Sequence, residues 1–274
     1  MKMHEMDLIE FLIKEGHTDI AESIKDYRKN TIKMCVKDVE NVIAKGTSKI
    51  GGFPDLPPEI PYPTMSGYSC KRGDDTERYE KSAMQLVAQI NLADIADLDI
   101  ENKLPHMGIL YFFWSGEIDS IHQTNKWFES VADDLENLAY HKVIWYNGDL
   151  SNLKRTVPPV PYYSKYFTEV FEEKAVEFEL TTDYQSMGYV LDSNQFDRLA
   201  EVAPDYDIEY LSYNGNKLFG YPTGGNIPNV DEKTQLLFQY DYNVGCLWNI
   251  FWLISDEDLK NRNFDKAVLG YDMD

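Results

Sequence analysis

A chain of 274 residues with 43% hydrophobic and 14% aromatic content is long enough to bury a sizeable core without disulfide or metal staples. Its net charge of −21, from 47 acidic and 26 basic residues, argues against a basic face for DNA, RNA or anionic lipid and favours encounter with a cationic partner. Three scattered cysteines, Cys35, Cys70 and Cys246, have neither metal spacing nor a disulfide framework, which points to a reducing compartment.

The first segment, from about His4 to Lys29, reads as two helices. Met6, Ile9 and Ile13, with Leu8, Phe11 and Leu12, recur at helical spacing, and Gly16 ends that run. Thr18 and Asp19 are candidate caps for a second helix with the stripe Ile20, Ile24 and Tyr27. The pair is expected to pack on the main body. The leading residues carry Glu5 and Asp7 where a secretory signal needs a basic start, and no run approaches the roughly 18 apolar residues of a membrane span, so a cytoplasmic location is expected.

A strand is expected over Thr31 to Val36. The stretch from Ser48 to Pro58 is too rich in Gly and Pro for a helix or a central strand and reads as a rigid loop, with Gly51 and Gly52 free to adopt positive φ. Met65 to Ser82 reads as a mobile polar insertion. Met84 to Leu92 is a strand running into a helical turn at Asn91-Leu92-Ala93-Asp94, and Gly108 to Trp114 is the strongest strand signal in the chain. His141 to Tyr146 follows as a strand, and three prolines between Thr156 and Pro161 mark an extended crossing. Ser193, as N-cap, opens a helix to Val202; Leu236 to Asp241 and Leu247 to Ile254 are strands, and Asp256 to Lys260 is a short helix.

Blocks repeat in order between the two halves. Gly52-Phe53-Pro54 is echoed by Gly220-Tyr221-Pro222, and Gln85-Leu86-Val87-Ala88-Gln89-Ile90-Asn91 by Gln235-Leu236-Leu237-Phe238-Gln239-Tyr240-Asp241. Gly108-Ile109-Leu110-Tyr111 is echoed by Gly245-Cys246-Leu247-Trp248, and Lys142-Val143-Ile144 loosely by Lys266-Ala267-Val268. Four blocks in one order suggest two similar sheet units, with sites expected along their junction.

The blocks Lys49-Ile50-Gly51-Gly52-Phe53-Pro54-Asp55-Leu56-Pro57, Ala88-Gln89-Ile90-Asn91-Leu92 and Gly108-Ile109-Leu110-Tyr111-Phe112-Phe113 resemble the YwqG-like family of bacterial proteins. Leu218 to Pro222, Leu236 to Gln239 and Asp258-Leu259 with Asn263-Phe264 extend the resemblance over nearly all of the chain from about Ile32. It implies an α+β fold with repeated antiparallel sheets, no assigned activity, and an association with toxin–immunity and secretion neighbourhoods. The family's Trp-Gly-Asp turn before the last aromatic strand is missing from Asp241 to Trp248. The loop Thr223-Gly224-Gly225-Asn226-Ile227 lacks the Gln common at its end. A site built on those positions would be altered here.

No recognised catalytic spacing stands out. His4, His17, His106, His122 and His141 form no His-x-x-x-His or His-Glu-x-x-His pair, so no metal is expected. There is no Gly-x-Ser-x-Gly elbow, Gly215-Asn216-Lys217 is not a phosphate loop, and Cys70 beside Lys71 and Arg72 has no evident histidine partner. The acid pairs Asp74-Asp75, Asp133-Asp134 and Glu172-Glu173 are what 47 acids would produce without a glycosidase site.

The candidates that remain are polar groups inside apolar strands: Gln89 and Gln239 at equivalent positions, each followed at two residues by Asn91 or Asp241. Either they bind a ligand at the junction of the halves, or they hydrogen-bond the loops of their own halves, with Gly51, Gly52, Pro54, Gly220, Tyr221 and Pro222 as the structural loop positions.

The chain therefore reads as α+β: an internally duplicated, mainly antiparallel β-sheet body with an N-terminal helical pair. Its expected division is 1–30, 31–155 and 156–274 within one compact unit. The expected function is non-catalytic binding of a basic protein partner, in the manner of a toxin-neutralising module, with no cofactor, nucleic acid or membrane. A small-molecule binder or enzyme with its site at the repeat junction is the alternative.

Overall fold

A computed structural model describes residues 6–38, 42–72, 75–116, 140–162, 170–206, 208, 211–223, 233–244 and 247–273. Helices α1 (Leu8–Lys14) and α2 (Thr18–Ile24) open the chain. Asp7 caps α1, its carboxylate accepting the backbone N–H of Ile9 at 3.1 Å, and Gly16 ends it in the left-handed region at φ 86. The second cap differs from expectation: α2 begins at Thr18, and His17 precedes it without a side-chain bond.

Strands β1 (Arg28–Lys37) and β2 (Lys49–Ile50) follow. β3 (Asp55–Leu56) pairs with β9 (Lys154–Arg155), while β4 (Thr64–Arg72) and β5 (Asp75–Ala83) form an antiparallel hairpin where a mobile insertion is expected. β6 (Gln85–Asn91), β7 (Ile109–Trp114) and β8 (His141–Tyr146) form a meander, as do β12 (Thr234–Val244), β13 (Leu247–Ser255) and β14 (Val268–Met273). Between the two meanders lie β10 (Lys174–Tyr184), α3 (Met187–Val190), α4 (Ser193–Val202) and β11 (Lys217–Phe219), and α5 (Asp256–Asn261) links β13 to β14. The cap of α4 is Asp192, closing a capping box with Gln195, rather than Ser193.

Ten strands make one antiparallel sheet in the order β14-β13-β12-β11-β1-β10-β2-β6-β7-β8. From either edge inward the sheet presents a three-strand meander, a short strand and a long central strand. The two-residue β2 lies inside this sheet, although the Gly/Pro content around it argues against a central strand. Lys49 and Ile50 are its only paired residues, and the chain turns away at Gly51. The long strands are exchanged: β1 pairs with β11 of the later half, and β10 with β2 of the earlier half. No sequence expectation covers β10, although Val176, Phe178 and Leu180 alternate with Glu177 and Glu179.

The sheet folds over so that its two meanders face each other. Phe112 on β7 lies 4.6 Å from Phe238 on β12 and 5.3 Å from Trp252 on β13, ring centre to ring centre. Alternate residues of β7 enter different cores. Leu110, Phe112 and Trp114 join the shared core, while Ile109, Tyr111 and Phe113 face outward into a second cluster with Leu56, Met65 and Leu153. Both faces are covered, which explains an unbroken apolar run in an antiparallel strand. Each such burial contributes about 1.5–3 kcal/mol. A third core joins α1 and α2 to α4 through Leu8, Leu12, Ile24, Leu199 and Ala203, against Tyr184 at the end of β10. No helix among the described residues is long and apolar enough to cross a membrane.

Candidate functional site

Two polar corners hold nearly all of the candidate residues. In the first, Gly51 and Gly52 adopt φ 65 and φ 66. A Cβ on Gly51 would lie 2.3 Å from the carbonyl oxygen of Glu172, so the loop takes only glycine there. After Pro54, the backbone N–H of Asp55 donates to Gln89 Oε1 at 2.8 Å. Gln89 Nε2 donates to the carbonyl of Thr47 and to Asp55 Oδ2, both at 3.0 Å. Arg155 Nε lies 2.7 Å from Asp55 Oδ1, and its Nη1 lies 2.7 Å from Glu173 Oε1. Lys49, fully buried, donates to the same Glu173 oxygen at 2.6 Å and to the carbonyl of Phe53 at 2.5 Å. Burial pushes the Lys49 ammonium down despite Glu173. Burial pushes Asp55 up, but hydrogen bonds from Arg155 and Gln89 outweigh it and hold the carboxyl below the usual aspartate range.

The second corner repeats this frame. Lys217 faces Gln239 across β11 and β12 as Lys49 faces Gln89 across β2 and β6. The backbone N–H of Thr223, the residue after Pro222, donates to Gln239 Oε1 at 2.8 Å. Gln239 Nε2 donates to the carbonyl of Gly215 at 3.2 Å and to Thr223 Oγ1 at 2.9 Å. The N–H of Asp241 donates to Asn216 Oδ1 at 2.9 Å, as that of Asn91 donates to Ser48 Oγ at 2.8 Å.

The ion pair differs between the corners. Lys217 lies 2.8 Å from Asp183 with neither side chain exposed, and Asp183 also accepts the N–H groups of Tyr184, Tyr213 and Tyr221. Burial pushes the Lys217 ammonium down against the pull of Asp183. A Cβ on Gly220, at φ 81, would meet Asp183 at 2.3 Å. Phe219 holds the left-handed conformation, at φ 62, where the first corner has Gly51.

These corners do not meet. Four strands separate β6 from β12 in the sheet, and Gln89 and Gln239 point away from the shared core, beside Tyr111 and Phe251 of the outer clusters. Every polar atom of both amides is bonded within its own half. Asn91 Nδ2 donates to the carbonyl of Gly46 and its Oδ1 caps the turn at Ala93, whereas the Asp241 side chain is exposed. Gly51, Gly52, Pro54, Gly220, Tyr221 and Pro222 form the two loops that the amides hold.

Sequence reasoning misses Asp55, Arg155, Asp183 and Lys217 as members of the corners. A signal existed for one pair, because reading the repeat one block earlier aligns Lys49-Ile50-Gly51-Gly52-Phe53-Pro54 with Lys217-Leu218-Phe219-Gly220-Tyr221-Pro222. Glu173 belongs to the first corner, while Glu172 pairs with Lys174 at 2.9 Å.

His17 is half-buried, His106 Nε2 is 3.9 Å from Asp99, and His141 is buried. No group of three or more metal-ligating side chains occurs among the described residues. His4, His122, Asp74, Asp133, Asp134, Cys246 and the stretch 224–227 lie outside them, as do the side chains of Cys70, Lys71, Arg72 and Asp75.

Residues 48–273 match the family model described as Domain of unknown function (DUF1963). The chain belongs to this family. No curated protein matches the sequence. Both meanders and, apart from Gly46 and Thr47, both DUF1963 corners fall inside the matched range. The helices α1 and α2 and the central strand β1 precede it.

Proposed function

We propose that this DUF1963 protein is a non-catalytic cytoplasmic module that binds a basic protein partner through its helical layer. The observation that carries the reading is the charge of that layer. On α1 and α2 and just beyond each, Glu10, Glu15, Asp19, Glu22 and Asp26 are exposed against Lys14 and Lys25, and on α4 Asp197 and Glu201 are exposed against Arg198. An acidic face of this kind speeds encounter with a cationic surface and makes the complex salt-sensitive. The internal use of the Gln89 and Gln239 amides supports a structural role for the corners, and the half-buried free thiol of Cys35 suits a reducing compartment.

The YwqG-like resemblance adds the partner class: a basic toxin domain or enzyme that the module neutralises. We further infer that the body arose by internal duplication, with divisions near 31–155 and 156–274. The repeated hydrogen bonds of the two corners and the sheet order, the same from either edge, support it.

The test is capture of partners by the tagged full chain at 50 and 500 mM NaCl, beside a variant carrying Glu10→Lys, Glu15→Lys and Asp26→Lys. A stoichiometric basic partner, held at low salt and lost in the variant, is the expected result. A partner held equally by the variant, or none at either salt, overturns the reading.

A further inference from the structure

Residues 98–104 form a strap across the start of β1. Asp99 fixes it by accepting the backbone N–H groups of Lys103 at 3.0 Å and Leu104 at 2.7 Å, and Asn102 turns it at φ 54. Held this way, the strap lays Glu101 against β1. Asn30 Nδ2 donates to Glu101 Oε1 at 2.7 Å, and Lys103 Nζ lies 2.8 Å from Glu101 Oε2. The Lys103 ammonium stands 4.8 Å above the ring of Phe219. Lys29, beside Asn30, stands 4.3 Å above the ring of Tyr221 and has no ion pair among the described residues.

Each oxygen of one carboxylate therefore has its own donor, and a further ammonium stands close by. Burial raises the Glu101 carboxyl, but the hydrogen bonds of Lys103 and Asn30 and the fields of Lys103 and Lys29 outweigh it and hold the group below the usual glutamate range. The carboxylates of Asp183, Asp256 and Glu101 attract the Lys29 ammonium without an ion-pair contact among the described residues. The Lys29 ammonium is pushed down by burial and by the neighbouring Lys103. Glu101 lines a small cleft, about the size of one water molecule, with Ile32, Leu98, Leu180, Phe219 and Ile100, the last 55% exposed. Phe219 keeps its ring there at the expense of a left-handed backbone that Gly51 adopts without strain in the other corner.

We propose that Asn30, Lys29 and Lys103 form a carboxylate-binding site that Glu101 fills in the free protein, and that its external ligand is a small carboxylate bearing an apolar group. The ligand carboxylate takes the place of Glu101 between the amide and the ammonium groups. Its apolar group covers the half-buried Leu98 and the exposed Ile100. Glu101 then acts as a tethered competitor, because an intramolecular carboxylate meets its donors at an effective concentration near the millimolar range or above. The competing explanation is an exposed ion pair between near neighbours on one loop, of the kind that contributes little to stability and receives no ligand.

Titration calorimetry with 3-phenylpropionate separates the two, with acetate supplying the head alone and 3-phenylpropan-1-ol the body alone. Glu101→Ala is expected to bind 3-phenylpropionate one-to-one and at least tenfold tighter than the unaltered protein. It should bind acetate and the alcohol at least tenfold more weakly than the acid. Adding Lys103→Ala to Glu101→Ala should abolish binding. Glu101→Gln, which keeps the Asn30 bond, guards against a folding defect and is expected to show a smaller gain. Folded Glu101→Ala and Glu101→Gln chains that bind no tighter than the unaltered protein overturn the proposal, as does binding that survives Lys103→Ala.

Discussion

The side-chain oxygen of Gln89 accepts the backbone N–H of Asp55 at 2.8 Å, so one amide on a sheet strand fixes where a glycine–proline loop ends. The rest of that amide is equally committed, to Thr47 and to the Asp55 carboxylate. Replacing Gln89 by Leu keeps the volume but leaves the Asp55 N–H and the Thr47 carbonyl without their partner. At about 1–3 kcal/mol for each buried polar group left unpaired, Gln89→Leu should cost roughly 2–6 kcal/mol, read as a lower urea midpoint at unchanged slope. Gln239→Leu should behave alike, because Thr223 and Gly215 stand where Asp55 and Thr47 do. A Gln89→Leu protein as stable as the parent would remove the structural role.

The buried pair of Lys217 and Asp183 yields an asymmetric expectation. Asp183 keeps three backbone N–H donors when Lys217 becomes Met, whereas Lys217 keeps only Ser212 Oγ, at 3.1 Å, when Asp183 becomes Ala. Breaking a buried pair costs about 3–5 kcal/mol, chiefly through the charge left behind. Asp183→Ala should reach or exceed that range, since it also strands those three N–H groups, and Lys217→Met should fall below it. Equal losses, or a larger loss for Lys217→Met, would show that the backbone donors do not sustain the carboxylate.

How much of this was legible depended on how local each signal is. The strand at Gly108 to Trp114 carries its own evidence, because a run of aromatics between turn residues fits few other structures. The helical turn after Asn91 was legible for the same reason. β10 alternates Val176, Phe178 and Leu180 with acids, but the pattern alone does not say that it lies at the centre of the sheet, exchanged with β1. That placement depends on pairings far apart in the chain, from Lys37 with Ala175 to Arg28 with Tyr184. The glutamines were legible as polar groups needing partners. The loops of their own halves were legible as one place for those partners, but not the particular backbone groups, since the N–H groups of Asp55 and Thr223 reach the amides only once the loops fold back. Arg155 gave no sign, lying 100 residues from Asp55 and just before the segment read as an extended crossing.

Asp7 joins the helical layer to the sheet. One carboxylate oxygen caps α1, while the other accepts Arg28 Nε at 3.1 Å, Thr182 Oγ1 at 2.9 Å and the Tyr184 hydroxyl at 2.8 Å. Burial raises the Asp7 carboxyl, but the hydroxyls of Tyr184 and Thr182 and the charge of Arg28 outweigh it, so its net shift is downward. A carboxyl lowered in the folded state contributes stability fully above its unfolded value near 3.9 and loses it as pH falls through the folded value. The tether should therefore hold at neutral pH and release in acid. Asp7→Ala should cost about 2–3 kcal/mol through the lost cap and stranded donors. Hydrogen exchange should speed first in α1 and α2, with the β6 to β8 meander unchanged. Uniform acceleration across the sheet would contradict the tether.

His141 gives the fold a second and separate dependence on pH. It is 2% exposed at the start of β8, neither ring nitrogen has a hydrogen-bond partner among the described residues, and burial pushes its imidazole down to about 4. In the unfolded chain the same ring titrates near 6.5. Between those values the unfolded state binds a proton that the folded state refuses. Stability is therefore complete above about pH 6.5 and falls as pH drops towards 4, by about 3 kcal/mol in all. Carboxylates such as Asp7 and Asp55, lowered in the folded state, begin to lose their contribution only from about pH 5, so the loss between pH 6.5 and 5 belongs mainly to the histidine. His141→Leu, which cannot take up a proton, should flatten the urea midpoint across the window. It should also remove two buried nitrogens that lack partners, so the variant should match or exceed the parent in stability at pH 5. An unchanged slope in His141→Leu would place the proton uptake on another group.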